Sequence, residues 1–271
     1  MMHTESRTDD YIISGGEAGK SRLNVLSDAL REYEESFLKR LGVAEGMSFF
    51  DAGTGGGNVA MLASKIAGDT GRVVAVDFDE RILALAKEDA AKEGISNISF
   101  QATSIYDIHY RNEFDVVYAR FLLSHLKRPE EALNRIVESA RPGGIIIVED
   151  VHFEGHFCYP PSEAFDNYVH YYAEAARHKG EDANIGPSLP FLFERVGIKN
   201  IGFDVIQPCF TQGPGKQMAL LTLTNIKDAI VELGVAGLHT IDRMLGELEA
   251  FTNDPQTIMS LPRIFRVWGV K

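Results

Sequence analysis

A short apolar run ending on an acid leads into three alternate glycines, in Phe49-Phe50-Asp51-Ala52-Gly53-Thr54-Gly55-Gly56-Gly57. A second apolar run, Arg72-Val73-Val74-Ala75-Val76, ends on Asp77. Between them, about Asn58 to Ala67 reads as a helix. The glycines permit a tight turn and let a ligand approach the backbone closely. The helix that follows presents unpaired N–H groups and the positive end of its dipole. Strand, glycine turn, helix and strand in that order make a parallel pair joined by a right-handed crossover.

The same rhythm runs on to residue 150. A helix is expected from about Asp79 to Glu93, then strands at Ile98–Gln101 and Phe114–Tyr118. Pro129 suits the first turn of a helix reaching Ala140. Arg141-Pro142-Gly143-Gly144 ends that helix before a fifth strand, Gly144–Glu149. Ser21 to Leu41 precedes all of this as one or two helices. Beyond Asp150 the pattern predicts helices near 162–178, 187–196, 216–233 and 237–251, and strands at 203–207 and 264–270. Such alternation specifies an α/β fold, a largely parallel sheet with helices on both faces.

Two ligand types compete for the glycine turn. A dinucleotide site reads G-x-G-x-x-G, with pyrophosphate on the helix N-terminus. Here the glycines read G-x-G-x-G, Asn58 takes the third dinucleotide position, and Asp51 would repel a pyrophosphate. Asp51 suits an α-ammonium instead. Asp77, about 20 residues past the last glycine, is placed to hold a ribose diol. An amino acid at one end and a nucleoside at the other describes S-adenosylmethionine. A nicotinamide-dependent oxidoreductase is the lesser alternative, and a non-catalytic S-adenosylmethionine-binding protein the other.

Charge and cysteine content narrow the field further. Acidic side chains number 39 against 27 basic ones, a formal charge of −12. Nucleic-acid backbones call for the opposite balance, so a small-molecule substrate is expected and no nucleic-acid partner. Cys158 and Cys209 are too few and too far apart for a zinc site or disulfide framework, so no metal is expected. No stretch approaches a membrane span, and the polar N-terminal segment does not read as a signal peptide. A cytoplasmic monomer or homodimer is the expectation.

DAGTGGGNVA, VVAVDFDERIL, FDVVYARFLLSHL and RPGGIIIVED, within residues 45–150, resemble class I S-adenosylmethionine-dependent methyltransferases of the UbiE/type-11 kind. YIISGGEAGKSRL, QPCFTQGPGKQMALLTL and SLPRIFRVWG also resemble small-molecule methyltransferases of that superfamily. The resemblance implies a Rossmann-like seven-stranded sheet of order 3-2-1-4-5-7-6, with strand 7 antiparallel. It implies S-adenosylmethionine as cofactor and S-adenosylhomocysteine as product. Asp51, Ala52, Gly53, Gly55 and Asn58 then surround the methionine end, Asp77 the ribose, and Phe78 the adenine. Thr103, Ser104 and Ile105 follow the third strand, with Ser104 where the family usually has an adenine-binding Asp. Ala119 and Arg120 lie under the methionine part.

A single domain is expected, divided into an N-terminal helical cap (1–44), a cofactor-binding core (45–150) and two insertions (151–186 and 208–262). Both insertions leave carboxyl ends of strands, where open α/β sheets bind ligands, so they are expected to form a substrate lid. Tyr11 and Arg22 are expected to close over the cofactor, with Arg22 reaching its carboxylate. His125, Glu149 and His152 are the candidate catalytic bases.

Overall fold

The computed structural model describes residues 16–271, with side chains described from Gly19 onward. Tyr11 lies outside the described residues. The central sheet contains β1 (Ser48–Ala52), β2 (Arg72–Asp77), β3 (Ile98–Ala102), β4 (Phe114–Arg120), β5 (Ala140–His152), β6 (Lys199–Ile206) and β7 (Arg263–Val270). Their order is β3-β2-β1-β4-β5-β7-β6. Neighbours are parallel except for β7, which runs antiparallel to both β5 and β6. This is the order that the family resemblance implies.

The helices are α1 (Gly16–Arg40), α2 (Asn58–Ala67), α3 (Glu80–Lys92), α4 (Pro129–Ser139), α5 (Glu163–Lys179), α6 (Leu189–Arg195), α7 (Met218–Glu232) and α8 (Leu238–Asn253). The four central residues of β2 are buried, as a strand covered on both faces requires. One face of the sheet packs Phe50, Val74, Val117, Ile146 and Val148 with Leu133 and Ile136 of α4. The other packs Phe49, Val73, Tyr118 and Ile147 with Phe37 and Leu38 of α1 and Val59 and Ala63 of α2. Asp79 caps α3, its carboxylate accepting from the N–H groups of Arg81 and Ile82 at 2.9 and 3.4 Å.

Two departures from expectation have local causes. β5 begins at Ala140 directly after α4, where the sequence pattern suggests a break through Gly144. The register against β4 shifts between Phe114 and Val116. That irregularity absorbs Arg141 to Gly144, with Gly143 at φ +78°. A small second sheet, of Cys158–Tyr159, Ile258–Ser260 and Cys209–Phe210, also goes unread in the sequence. Strands of two or three residues show no period.

That small sheet ties together the segments leaving β5 and β6. They share a core of Phe153, Phe165, Tyr168, Leu223, Ile226, Ile241, Met244 and Leu248. The body made by α5, α7 and α8 therefore stands beyond the carboxyl ends of the parallel strands. Among the described residues, no helix is long and apolar enough to cross a membrane.

Candidate active site

The register Ala52↔Val76, Asp77↔Ala102 and Arg120↔Glu149 brings the strand ends to one edge. A cavity of about 680 Å³ opens there, bounded by the glycine turn, α1, α5 and α7. Its volume falls in the range of small-molecule sites.

The glycine turn needs its glycines. Gly53, Gly55 and Gly57 have φ of +72°, +53° and +77°, a region that side chains disfavour. A Cβ on Gly57 would lie 3.0 Å from Ala86 Cβ and 3.1 Å from Phe100 Cε1. Gly57 thus provides the close helix packing that a dinucleotide site assigns to the next position, occupied here by Asn58.

Asp51 lies at the carboxyl end of β1, below the start of α2. Its carboxylate accepts from Thr54 Oγ1 at 2.6 Å and from the Ala60 N–H. The N-terminus of α2 therefore already has an internal acceptor. Burial, opposed by the Thr54 hydrogen bond and assisted by the nearby Asp77, lifts the Asp51 carboxyl to about 7. Asp77 accepts from Gly55 N at 2.8 Å and from Asp79 N at 3.0 Å. Burial raises its pKa as well. The Phe78 N–H is a third donor; a carboxylate offers about four acceptor positions, so Asp77 retains one for a ribose hydroxyl.

Phe78, Thr103, Ser104 and Ile105 line the cavity near the ends of β2 and β3. Ser104 Oγ accepts from Tyr106 N at 3.3 Å, capping a short helical turn at Ile105–Asp107. Its proton remains available for donation. Gly53, Gly55, Asn58, Arg22 and Arg120 also line the cavity. Ala52 and Ala119 do not reach it: fully buried, they pair with each other inside the sheet. Arg120 is buried against Glu34 of α1. Burial pulls its pKa down to about 10, opposed by the charge of Glu149.

The three candidate bases separate. His125 lines the cavity, with Nδ1 3.3 Å from Oε2 of the buried Glu181. Glu149 does not; it is buried in a group with Tyr118, Arg120 and Arg266. His152 does not either; its ring lies beside Gly155 and the Arg263 stem. Strand parity and tertiary cover decide this, and neither is visible in a linear sequence.

His152 is the expected base after β5, yet of the two histidines there it is His156 that reaches the cavity. Its Nδ1 lies 2.7 Å from the Phe153 carbonyl, which can only accept, so Nδ1 carries the proton. Burial lowers the His156 pKa to about 4, leaving a neutral ring. Phe153, stacked on Tyr172 at 3.8 Å between centroids, forms an aromatic wall with Tyr168. Met218, Leu261 and Ile264 complete this apolar end. Of the tyrosines at Tyr159, Tyr168, Tyr171 and Tyr172, Tyr168 and Tyr172 line the cavity. Among the described residues, no three His, Cys, Asp or Glu side chains are grouped to hold a metal ion.

Residues 44–189 match the family described as Methyltransferase domain. A ubiquinone/menaquinone biosynthesis C-methyltransferase UbiE from an Enterobacter species is 25% identical over 178 residues, covering 60% of this chain and 70% of that protein. A probable cobalt-precorrin-6B C(15)-methyltransferase from Thermoplasma volcanium is 30% identical over 118 residues, 43% of this chain and 59% of that one. Other curated relatives are matched over as little as 48% of their length. The crystal structure of an S-adenosylmethionine-dependent methyltransferase from Aquifex aeolicus superposes with a TM-score of 0.53 at 25% identity, covering 69% of this chain and 91% of that one. Strand order, glycine turn and family match all agree: the chain belongs to the methyltransferase-domain family, as a class I S-adenosylmethionine-dependent methyltransferase of the UbiE kind.

Proposed function

We propose that this chain transfers a methyl group from S-adenosylmethionine to a small acceptor with a largely apolar body. The observation that carries the reading is the polarity of one continuous cavity. Carboxylates and a glycine turn line one end, and the wall of Phe153, Tyr168 and Tyr172 lines the other.

The residues present fit the cofactor. Asp77 keeps an acceptor position for a ribose hydroxyl, and Ser104 donates to an adenine ring nitrogen. Gly53 and Gly55 leave room for the methionine part, and Asp51 offers a negative charge to its ammonium. The cofactor, when bound, supplies an electrophilic methyl on a sulfonium. The protein supplies approach, orientation and exclusion of water.

His125 is the base for an acceptor that must lose a proton. Glu181 holds the tautomer that donates from Nδ1, which places the imidazole lone pair on Nε2. The low basicity of His156 suits it to accept a hydrogen bond rather than to take a proton. α1 and the two insertions act as the lid. Glu34–Arg120 and Arg22–Thr222 join α1 to the sheet end and to α7, so α1 spans both ends of the cavity.

Calorimetric titration tests the cofactor half of this reading. S-adenosylhomocysteine should bind one per chain, and a nicotinamide dinucleotide should not. Tight nicotinamide binding without S-adenosylhomocysteine binding would overturn it.

A further inference from the structure

We infer that Arg22 holds an anionic group of the methyl acceptor, a carboxylate on a small apolar or aromatic molecule, and not the carboxylate of the cofactor. The inference rests on the reading of the cavity given above.

Consecutive residues of α1 serve different neighbours. Leu23 approaches the glycine turn, with its Cδ1 3.2 Å from where a Cβ on Gly55 would lie. Asn24 Oδ1 accepts from Asn58 Nδ2 at 3.4 Å. Arg22 turns to the other side, and its Nε donates to Thr222 Oγ1 of α7 at 2.9 Å. The Thr222 hydroxyl is also a hydrogen-bond partner of the Tyr168 phenol. Arg22 is close enough to Tyr168, Tyr172 and His156 to act electrostatically on all three. The guanidinium therefore stands at the aromatic end of the cavity.

The buried acids that act on Tyr172, Glu181 and Asp150, are held by His125 and the Ser124 N–H, and buried cations elsewhere are paired. Arg120 is neutralised by Glu34, Arg266 by Asp204 and Lys20 by Asp89. Among the described residues Arg22 makes no ion pair, and only one of its five N–H donors, at Nε, has a hydrogen-bond partner. A guanidinium facing an apolar wall is stabilised by a planar anion that accepts two parallel hydrogen bonds. The phenols of Tyr168 and Tyr172 stay protonated, since burial raises both their pKa values, so they are further donors. The neutral His156 adds no competing charge. The stacked Phe153–Tyr172 pair offers flat apolar surface to the body of the same molecule.

The test uses protein saturated with S-adenosylhomocysteine and two probes of one shape, 2-naphthoate and 2-naphthamide, titrated calorimetrically. The wild-type protein should bind the carboxylate on the order of tenfold more tightly than the amide. Arg22→Gln should erase that preference in protein still saturated with S-adenosylhomocysteine. Retained S-adenosylhomocysteine binding also reports that the variant is folded. Arg22→Lys should keep part of the preference. Absence of naphthoate binding or of any preference in the wild type would overturn the inference. So would a tenfold loss of S-adenosylhomocysteine affinity in Arg22→Gln with the preference intact, since the arginine would then serve the cofactor. Failure of the wild type to bind S-adenosylhomocysteine at all would instead count against the reading of the cavity.

Discussion

Asp51 combines burial, a carboxylate neighbour and a hydrogen bond to Thr54, and its pKa rises from 3.8 to about 7. The folded, ligand-free chain holds this proton more tightly than the unfolded chain. Between pH 4 and 7 the unfolded Asp51 is ionised while the folded one stays protonated, so stability from this group falls as pH rises through that window. A cationic ligand reverses the preference, because it favours the carboxylate. The affinity for S-adenosylmethionine should therefore rise with pH up to about 7 and level off above it, and Asp77, shifted in the same direction, reinforces the trend. Calorimetry in buffers of different ionisation enthalpy at pH 6 should register proton release on binding; a pH-independent affinity would contradict the role given to Asp51. Asp77→Ala removes the proposed ribose contact, a charge-assisted bond worth about 1.5–3 kcal/mol, and should weaken S-adenosylhomocysteine binding by roughly tenfold or more. It also frees the Gly55 and Asp79 N–H groups, so the melting temperature should drop as well. Both acids were legible from sequence because each ends a strand beside a turn. The placement of Glu149 and His152 was not, because it depends on what α1 and the Arg263 stem cover.

Elements were legible in proportion to their period. β2, with four consecutive buried residues, and α4, with Pro129 in its first turn, follow directly from the chain. The three short strands of the second sheet and the irregular start of β5 do not, since pairing across the fold defines them. The glycine turn is the element most exposed to substitution. Gly57→Ala should cost about 1–3 kcal/mol, because it combines positive φ with contacts at 3.0 and 3.1 Å. A shift of the urea midpoint measures that loss. Gly55→Val should abolish cofactor binding while the fold persists, since its branched side chain would enter the space between the turn and Leu23. α1 and the insertions, if they form a lid, should respond together. On adding S-adenosylhomocysteine, amide exchange should slow in 19–26, 152–186 and 208–250, while 144–149 stays slow in both states. Protection confined to 51–58 and 77–79 would mean a roof that does not move.

At the scale of the molecule, the sheet supplies a row of strand ends and the insertions supply a wall facing it. Sequence patterning revealed the row, because glycines, acids and apolar runs recur at fixed spacing. It revealed the wall only as a rise in aromatic and histidine content after residue 150, since long-range packing decides which of those side chains face the cavity. One cavity serving both cofactor and acceptor is the central claim. Its most direct test is transfer of label from methyl-labelled S-adenosylmethionine to small molecules extracted from the native cell, with mass analysis of the product. A labelled, chloroform-soluble or aromatic product carrying one added methyl should form with the wild-type chain and be lost with Asp77→Ala. S-adenosylmethionine binding with no transfer to any extract component would contradict it and favour a non-catalytic S-adenosylmethionine-binding protein.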